Sequence, residues 1–367
     1  VKLIDDQGRL FGLINLVDAL VVLVVLAILV AGVAFVFSSG SDDTSPDTAT
    51  RYATLDLGTQ PAYVAIRVTE DDVVDTDPED AESLTITDVY ATKTNDSRNL
   101  YARVRLNGTL SDDTVIYRGG PLRVGRDIDL TPPDYATSGT ITAVDASNPD
   151  LPVGETDVLL HTALAADTVD EVRTSDEYRI DGRTVGTVRS VSAYRTGNGS
   201  TLAYVGVTYQ TYRASDGPQF AGTHVREGVT LPLETDAAAF EGEVVRVGAT
   251  EPRGAETTRT VQLEIENADP DLSDALRTGM TERVRGETVA ELTNVAVAPS
   301  TMVLTSQDGN VYRREHPVEE DVTLTVDLRV RETNAGLRFK GAPLHHGRTV
   351  FLDFGSVTVE ATVVSVE

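Results

Sequence analysis

Five histidines, His161, His224, His316, His345 and His346, are the first residues to test for chemistry. None stands at a metal-ligand interval from another histidine, and the chain has no cysteine to complete a set. His345 and His346 lie between two glycines, where two similar stretches carry Arg123-Val124 and Arg226-Glu227. A turn tip with cationic or polar residues accounts for them. Carboxylates number 58, so pairs of them carry no information by themselves. Three acidic segments recur, Asp71 to Asp80, Asp167 to Glu177 and Glu266 to Asp274. Asp269, Asp271 and Asp274 could ligate calcium, but they lack the glycine turn and terminal Glu of an EF-hand loop. These segments read as solvated acidic surface. No G-x-S-x-G elbow, P-loop or dinucleotide fingerprint is present. No catalytic, cofactor-binding or metal-ligating residue is therefore expected, no cofactor, and no enzymatic activity.

The acidic residues outnumber 31 Lys and Arg, for a net charge of -27. Such a field repels phosphate backbones, which excludes nucleic acid as a partner. Only Lys2, Lys93 and Lys340 are lysine, and every other basic residue is arginine. Few lysines and a carboxylate surplus resemble proteins of halophilic archaea. A hydrophobic fraction of 40% is enough for packed cores.

Residues 19–37 carry no charge and are almost wholly apolar. At about 1.5 Å per residue they span roughly 28 Å, close to a bilayer core. A single transmembrane helix over 13–37 is expected, with Asn15 as its cap and Asp18 facing the helix dipole. Lys2 and Arg9 precede it, and the next base is Arg51, so residues 1–12 belong in the cytoplasm and the bulk outside. Sequons at Asn95, Asn107 and Asn198 are compatible with that side. Residues 38–58, rich in Ser, Asp, Thr and Pro, read as a flexible stalk.

Beyond the stalk the pattern is short alternating runs such as Val322-Thr323-Leu324-Thr325-Val326-Asp327-Leu328, which predict half-buried strands. The runs repeat. Gly119 and Gly125, Gly222 and Gly228, and Gly341 and Gly347 are each six apart. Leu130, Leu233 and Leu352 follow the first glycine by eleven, and Val144, Val247 and Val366 come fourteen later. Gly182 to Val188 matches Gly286 to Leu292, with Leu84 to Val89 a looser copy. Three tandem small β-barrel or sandwich-like modules follow, at 59–146, 156–247 and 258–367, each large enough for its own modest core. A short helix is expected in the third, with Asp269 as cap, Pro270 first and Gly279 closing it. The three terminal valines should be buried in one equivalent place.

The opening Asp6-Gln7-Gly8-Arg9-Leu10-Phe11-Gly12-Leu13-Ile14-Asn15-Leu16-Val17-Asp18 resembles that of a prokaryotic membrane family, domain of unknown function 4330. Thr260 to Val366 is similar to that family's soluble domain. The resemblance implies an anchored β domain but no activity and no site residues. Gly182-Arg183-Thr184-Val185-Gly186-Thr187-Val188 is also similar, more weakly, to mammalian-cell-entry domains of lipid-transport systems. Two functions stand as expectations. The first is a single-pass cell-membrane protein anchored in the bilayer through 13–37, acting as an extracytoplasmic scaffold with envelope partners or self-association. The second is a module handling lipids or small ligands, which requires a continuous apolar interior.

The charge of -27 carries its own prediction. At molar salt the Debye length shrinks to about 3 Å, and carboxylate repulsion is screened. The extramembrane region should melt at a clearly higher temperature in molar salt than in dilute buffer. Equal melting temperatures would remove the halophilic reading.

Overall fold

A computed structural model describes residues 47–75, 82–94, 96–197, 199–305, 307 and 310–367, and two short strands near the N-terminus. Those strands, β1 (Arg9–Leu10) and β2 (Ile14–Asn15), pair antiparallel. Asn15 is therefore in extended pairing, not at a helix cap. The rest of the expected transmembrane segment, the first part of the stalk, Asn95 and Asn198 lie outside the described residues. Among the described residues no helix is long and apolar enough to cross a membrane.

The chain is mainly β, built as three eight-stranded antiparallel sheets in tandem. The first holds β3 (Thr48–Pro61), a helical turn α1 (Ala62–Ala65), β4 (Val73–Asp75), β5 (Ser83–Thr94), β6 (Ser97–Ser111), β7 (Thr114–Tyr117), β8 (Gly120–Pro121), β9 (Asp127–Leu130) and β10 (Thr137–Asp145). Its order is β4-β5-β6-β3-β10-β9, with β7 and β8 continuing from β6. The second repeats this order with β11 (Val153–Leu164), α2 (Ala166–Glu171), β12 (Glu177–Ile180), β13 (Arg183–Arg195), β14 (Thr201–Ala214), β15 (Gly217–Phe220), β16 (Thr223–His224), β17 (Thr230–Glu234) and β18 (Ala239–Val247). The third does so with β19 (Ala255–Ala268), α3 (Pro270–Ala275), β20 (Thr281–Val284), β21 (Glu287–Thr305), β22 (Val311–Thr333), β23 (Gly336–Phe339), β24 (Ala342–Pro343), β25 (Thr349–Asp353) and β26 (Thr358–Val366). Strand order agrees three times over, so the spacing reflects one repeated module.

Each sheet curls over its own core. In β22 the residues Val322, Leu324, Val326, Leu328 and Val330 are at most 1% exposed, while the alternate positions are polar. That period of two is what turns an alternating sequence into a half-buried strand. The second half of the expected stalk is instead β3, the strand between β6 and β10. Ala53, Leu55 and Leu57 face the core there, and pairing on both sides outweighs the polar composition around them.

The glycine pairs have a conformational cause. Arg118-Gly119, Ala221-Gly222 and Lys340-Gly341 are two-residue turns with both φ angles positive. These are type I′ hairpins, whose twist matches the flanking strands. Gly125, Gly228 and Gly347, with φ of 85°, 87° and 77°, donate their N–H to Ile141, Val244 and Val363, each at 2.8 Å. In α3 the Asp269 carboxylate does cap the helix, accepting from the Asp271 amide at 2.9 Å. The helix ends at Ala275, however, and Gly279 belongs to the next turn. Its N–H donates to Leu292 O, as Asp71 and Ser175 donate to Ile86 O and Val188 O.

The terminal valines hold equivalent register, opposite Ala53, Val158 and Val261. The expected burial holds only in part, since Val144 and Val366 are half-buried against their cores while Val247 is 36% exposed. Ile141, Val244 and Val363, three earlier, fill the core at 0% exposure. A register shift after each of them inserts one extra residue, so the strand end leaves the core at the rim. The third module also departs from its siblings. Past Pro299, β21 and β22 run on as an arm pairing Thr301 with Glu315 through Thr305 with Val311. Val303, Leu304, Val311, Tyr312 and Val318 on and beside it are 47% to 67% exposed.

A Cβ at Gly125, Gly228 or Gly347 would meet nothing within 4 Å. Alanine there should cost only the left-handed backbone term, about 1 to 2 kcal/mol, alike in the three modules. Gly341→Ala should cost more, because its Cβ would stand 2.2 Å from the Tyr204 hydroxyl. Urea denaturation of the four variants checks the order.

Candidate binding cleft

The modules join through one repeated junction. Lys93 at the end of β5 pairs with Glu234 at 2.5 Å, and its counterpart Arg195 in β13 pairs with Asp353 at 2.9 Å. Register matches Tyr101 with Tyr204, Tyr212 with Arg331, Gln219 with Arg338, and Val153 with Glu256.

The first junction is closed by aromatic packing. Tyr101 stacks on Tyr212 with ring centroids 4.0 Å apart and planes 12° apart. The Tyr101 hydroxyl donates to Gln219 Oε1 at 3.0 Å, and the Tyr90 hydroxyl to Gln210 O at 2.6 Å. Tyr90, Tyr101, Tyr212 and Leu151 form one buried cluster. Burial pushes the Tyr90 and Tyr101 hydroxyls well above the usual phenol range.

At the second junction arginines stand where the first has Tyr212 and Gln219. The result is a cleft of about 790 Å³ whose lining includes Tyr204, Arg246, Arg285, Arg331, Arg338 and Lys340. Burial raises the Tyr194 and Tyr204 hydroxyls, with Arg331 and Arg338 respectively acting in the opposite sense. Arg329 lies between Glu256 and Glu287, and Arg331 bonds Glu256 at 2.8 Å. Lys340 is nearly buried against Glu282 at 2.5 Å. Burial lowers the Lys340 ammonium and raises the Glu282 carboxyl, each opposed by its partner's charge. Arg285 donates to the carbonyls of Val169 and Val172 at 3.0 and 2.9 Å, fastening the third module to α2.

The five histidines serve separate local contacts. His161 packs on Tyr204 at 5.0 Å, and His224 meets Asp216 at 3.0 Å. His316 Nδ1 accepts from Glu319 N, while His345 and His346 bond backbone carbonyls. Among the described residues no three His, Asp or Glu converge as a metal site. Asp72 and Asp176 instead accept from the Thr69 and Arg173 amides in local turns. Asn107 is engaged too, with its amide donating to Ser83 and its carbonyl accepting from Thr50. The arginine cleft was not foreseen in the sequence. Its signal, Tyr212 and Gln219 replaced by Arg331 and Arg338, appears only after the modules are aligned strand by strand.

These features define a tandem array of β modules joined head to tail, with a cationic cleft at one of two equivalent junctions. The family described as domain of unknown function (DUF4330) matches residues 1–95 and 250–367, more than half of the chain, and the protein belongs to that family. The match takes in the N-terminal segment, the first strands of the first module and the whole third module. No curated protein and no solved structure matches the chain.

The first junction offers a direct energetic test. A double-mutant cycle on Tyr101→Ala and Tyr212→Ala should give a coupling of about 0.5 to 1.5 kcal/mol, the value of a stacked pair beyond its buried area. Additive losses would mean that the stack does not hold the modules together.

Proposed function

We propose that this protein is a membrane-anchored scaffold of the cell envelope, with the apolar segment 13–37 spanning the bilayer and the three modules outside. The exposed arm of the third module carries this reading. Its apolar side chains project beyond the core, while the other large apolar residues among those described are mostly buried. Exposed apolar side chains clustered on one projecting element of a charged protein mark a place where another macromolecule binds. The array serves as a rigid spacer between anchor and arm, and the arginine-for-lysine bias and acidic surface suit a halophilic cell. The lipid-handling reading is weaker. It requires a continuous apolar interior, whereas among the described residues the buried side chains fill three module cores and one small aromatic cluster at the first junction, and the cleft at the second is lined by charge.

The chain has no cysteine, so single cysteines report position cleanly. Asp236→Cys, in an exposed turn, should react with a membrane-impermeant maleimide as fast in intact cells as after detergent extraction. Tyr312→Cys on the arm should react quickly only after extraction, when its partner has been stripped away. Protection of Asp236→Cys in intact cells would overturn the orientation. Equal labelling of Tyr312→Cys in both states would overturn the docking role.

A further inference from the structure

We propose that the cleft between the second and third modules binds a phosphate ester, held by Arg246, Arg285 and Arg338 with its organic part along the Tyr204 ring. Charge accounting supports the location. Arg329, Arg331 and Lys340 are matched by Glu256, Glu287 and Glu282. Arg253, also on the lining, pairs with Glu227 at 3.0 Å. Arg246, Arg285 and Arg338 bond only main-chain carbonyls among the described residues. Three guanidiniums without a carboxylate partner are gathered in one cleft of a chain whose net charge is -27. Carboxylates are the most abundant resource of this surface, so a cationic cluster left without them requires an anion from elsewhere.

The junction comparison points the same way. Where the first junction stacks Tyr101 on Tyr212 and bonds Gln219, the second sets Arg331 and Arg338 beside Tyr204 and stays open. The repeated fold does not require that opening, since its sibling is packed shut. Guanidinium N–H groups match the oxygens of phosphate, and three guanidinium charges without a carboxylate partner, Arg285's among them though its fork bonds Val169 and Val172, suit a doubly charged group better than a single carboxylate. The cleft volume of about 790 Å³ falls in the range of small-molecule sites. The wider negative surface does not prevent entry in concentrated salt. Repulsion from carboxylates beyond a Debye length of about 3 Å is screened, while guanidinium contacts act at bonding distance.

The test uses the full chain in phosphatidylcholine nanodiscs, titrated calorimetrically with adenosine 5′-monophosphate, inorganic phosphate, or phosphatidylglycerol vesicles. Binding of at least one probe is expected, weakened about tenfold or more by Arg246→Gln or Arg338→Gln, the loss of roughly one charge-assisted bond. Binding by adenosine monophosphate or phosphate marks a soluble ester as the source, and binding by vesicles alone marks a lipid headgroup. Phenylglyoxal labelling of the unmutated chain removes any dependence on variant folding. A bound probe should protect Arg246 and Arg338 and leave the exposed Arg105 reactive. No heat with any probe, unchanged affinity in both variants, or equal labelling of Arg246 and Arg338 with and without the three probes would overturn the assignment.

Discussion

A backbone bond from a left-handed glycine sets the end of each module. The N–H of Gly125, Gly228 or Gly347 reaches the carbonyl of Ile141, Val244 or Val363 at the same 2.8 Å. The N–H of the acceptor residue in turn donates to Arg126, Val229 or Arg348. With both backbone groups engaged by the turn, the next residue, Thr142, Val245 or Val364, is the one skipped in the pairing with the central strand. Side chains alternate faces strictly along a strand, so this extra residue decides which positions remain over the core. A residue with a Cβ resists the required φ, which explains why glycine recurs at this point.

Much of this was legible in the sequence because glycine conformation and two-residue periodicity are local. The six-residue glycine gap marks a type I′ hairpin followed by a left-handed turn, and Leu130, Leu233 and Leu352 mark the inward face after it. The extra residue of each bulge has no chemical signature, being Thr, Val and Val, so the burial of Val247 was misjudged. Thr48 to Gly58 reads as linker by composition. It is a strand because β6 and β10 pair with it from far along the chain. The cleft was least legible of all. Neither Arg331 nor Arg338 is unusual until each is set against the tyrosine or glutamine at the same register in the neighbouring module.

Charge type follows position in the same way. Lys93 and Lys340, the lysines within the described residues, both serve defined ion pairs, one across a junction and one in the third core's edge. Arginines carry the work at the second junction, where a planar fork can bond two carbonyls or two carboxylates at once, as Arg285 and Arg329 do. Most of these pairs are partly exposed, so each contributes little stability. Lys93–Glu234 and the Arg285 bonds to Val169 and Val172 cross the junctions and bear on module orientation, whereas Arg329 and Lys340 pair within the third module.

A head-to-tail junction can in principle repeat between molecules, since open interfaces of this kind build fibres. The outward faces of the first and third modules differ from the joined ones in the residues such a repeat would need. Where the second and third modules present Glu234 and Asp353 to a neighbour's cation, the register of the first module places Thr131. Where they present Tyr212 or Arg331 it has Thr109, and where they present Gln219 or Arg338 it has Ile116. At the far end, the third module has Pro299 in place of Lys93 and Arg195, and Thr323 in place of Tyr101 and Tyr204. Neither free face keeps the ion pair or the aromatic ring that fastens the internal junctions. Stacked-module proteins limit their growth by altering such outward faces. In this chain the same few side chains set the outward faces of the first and third modules apart from the joined ones.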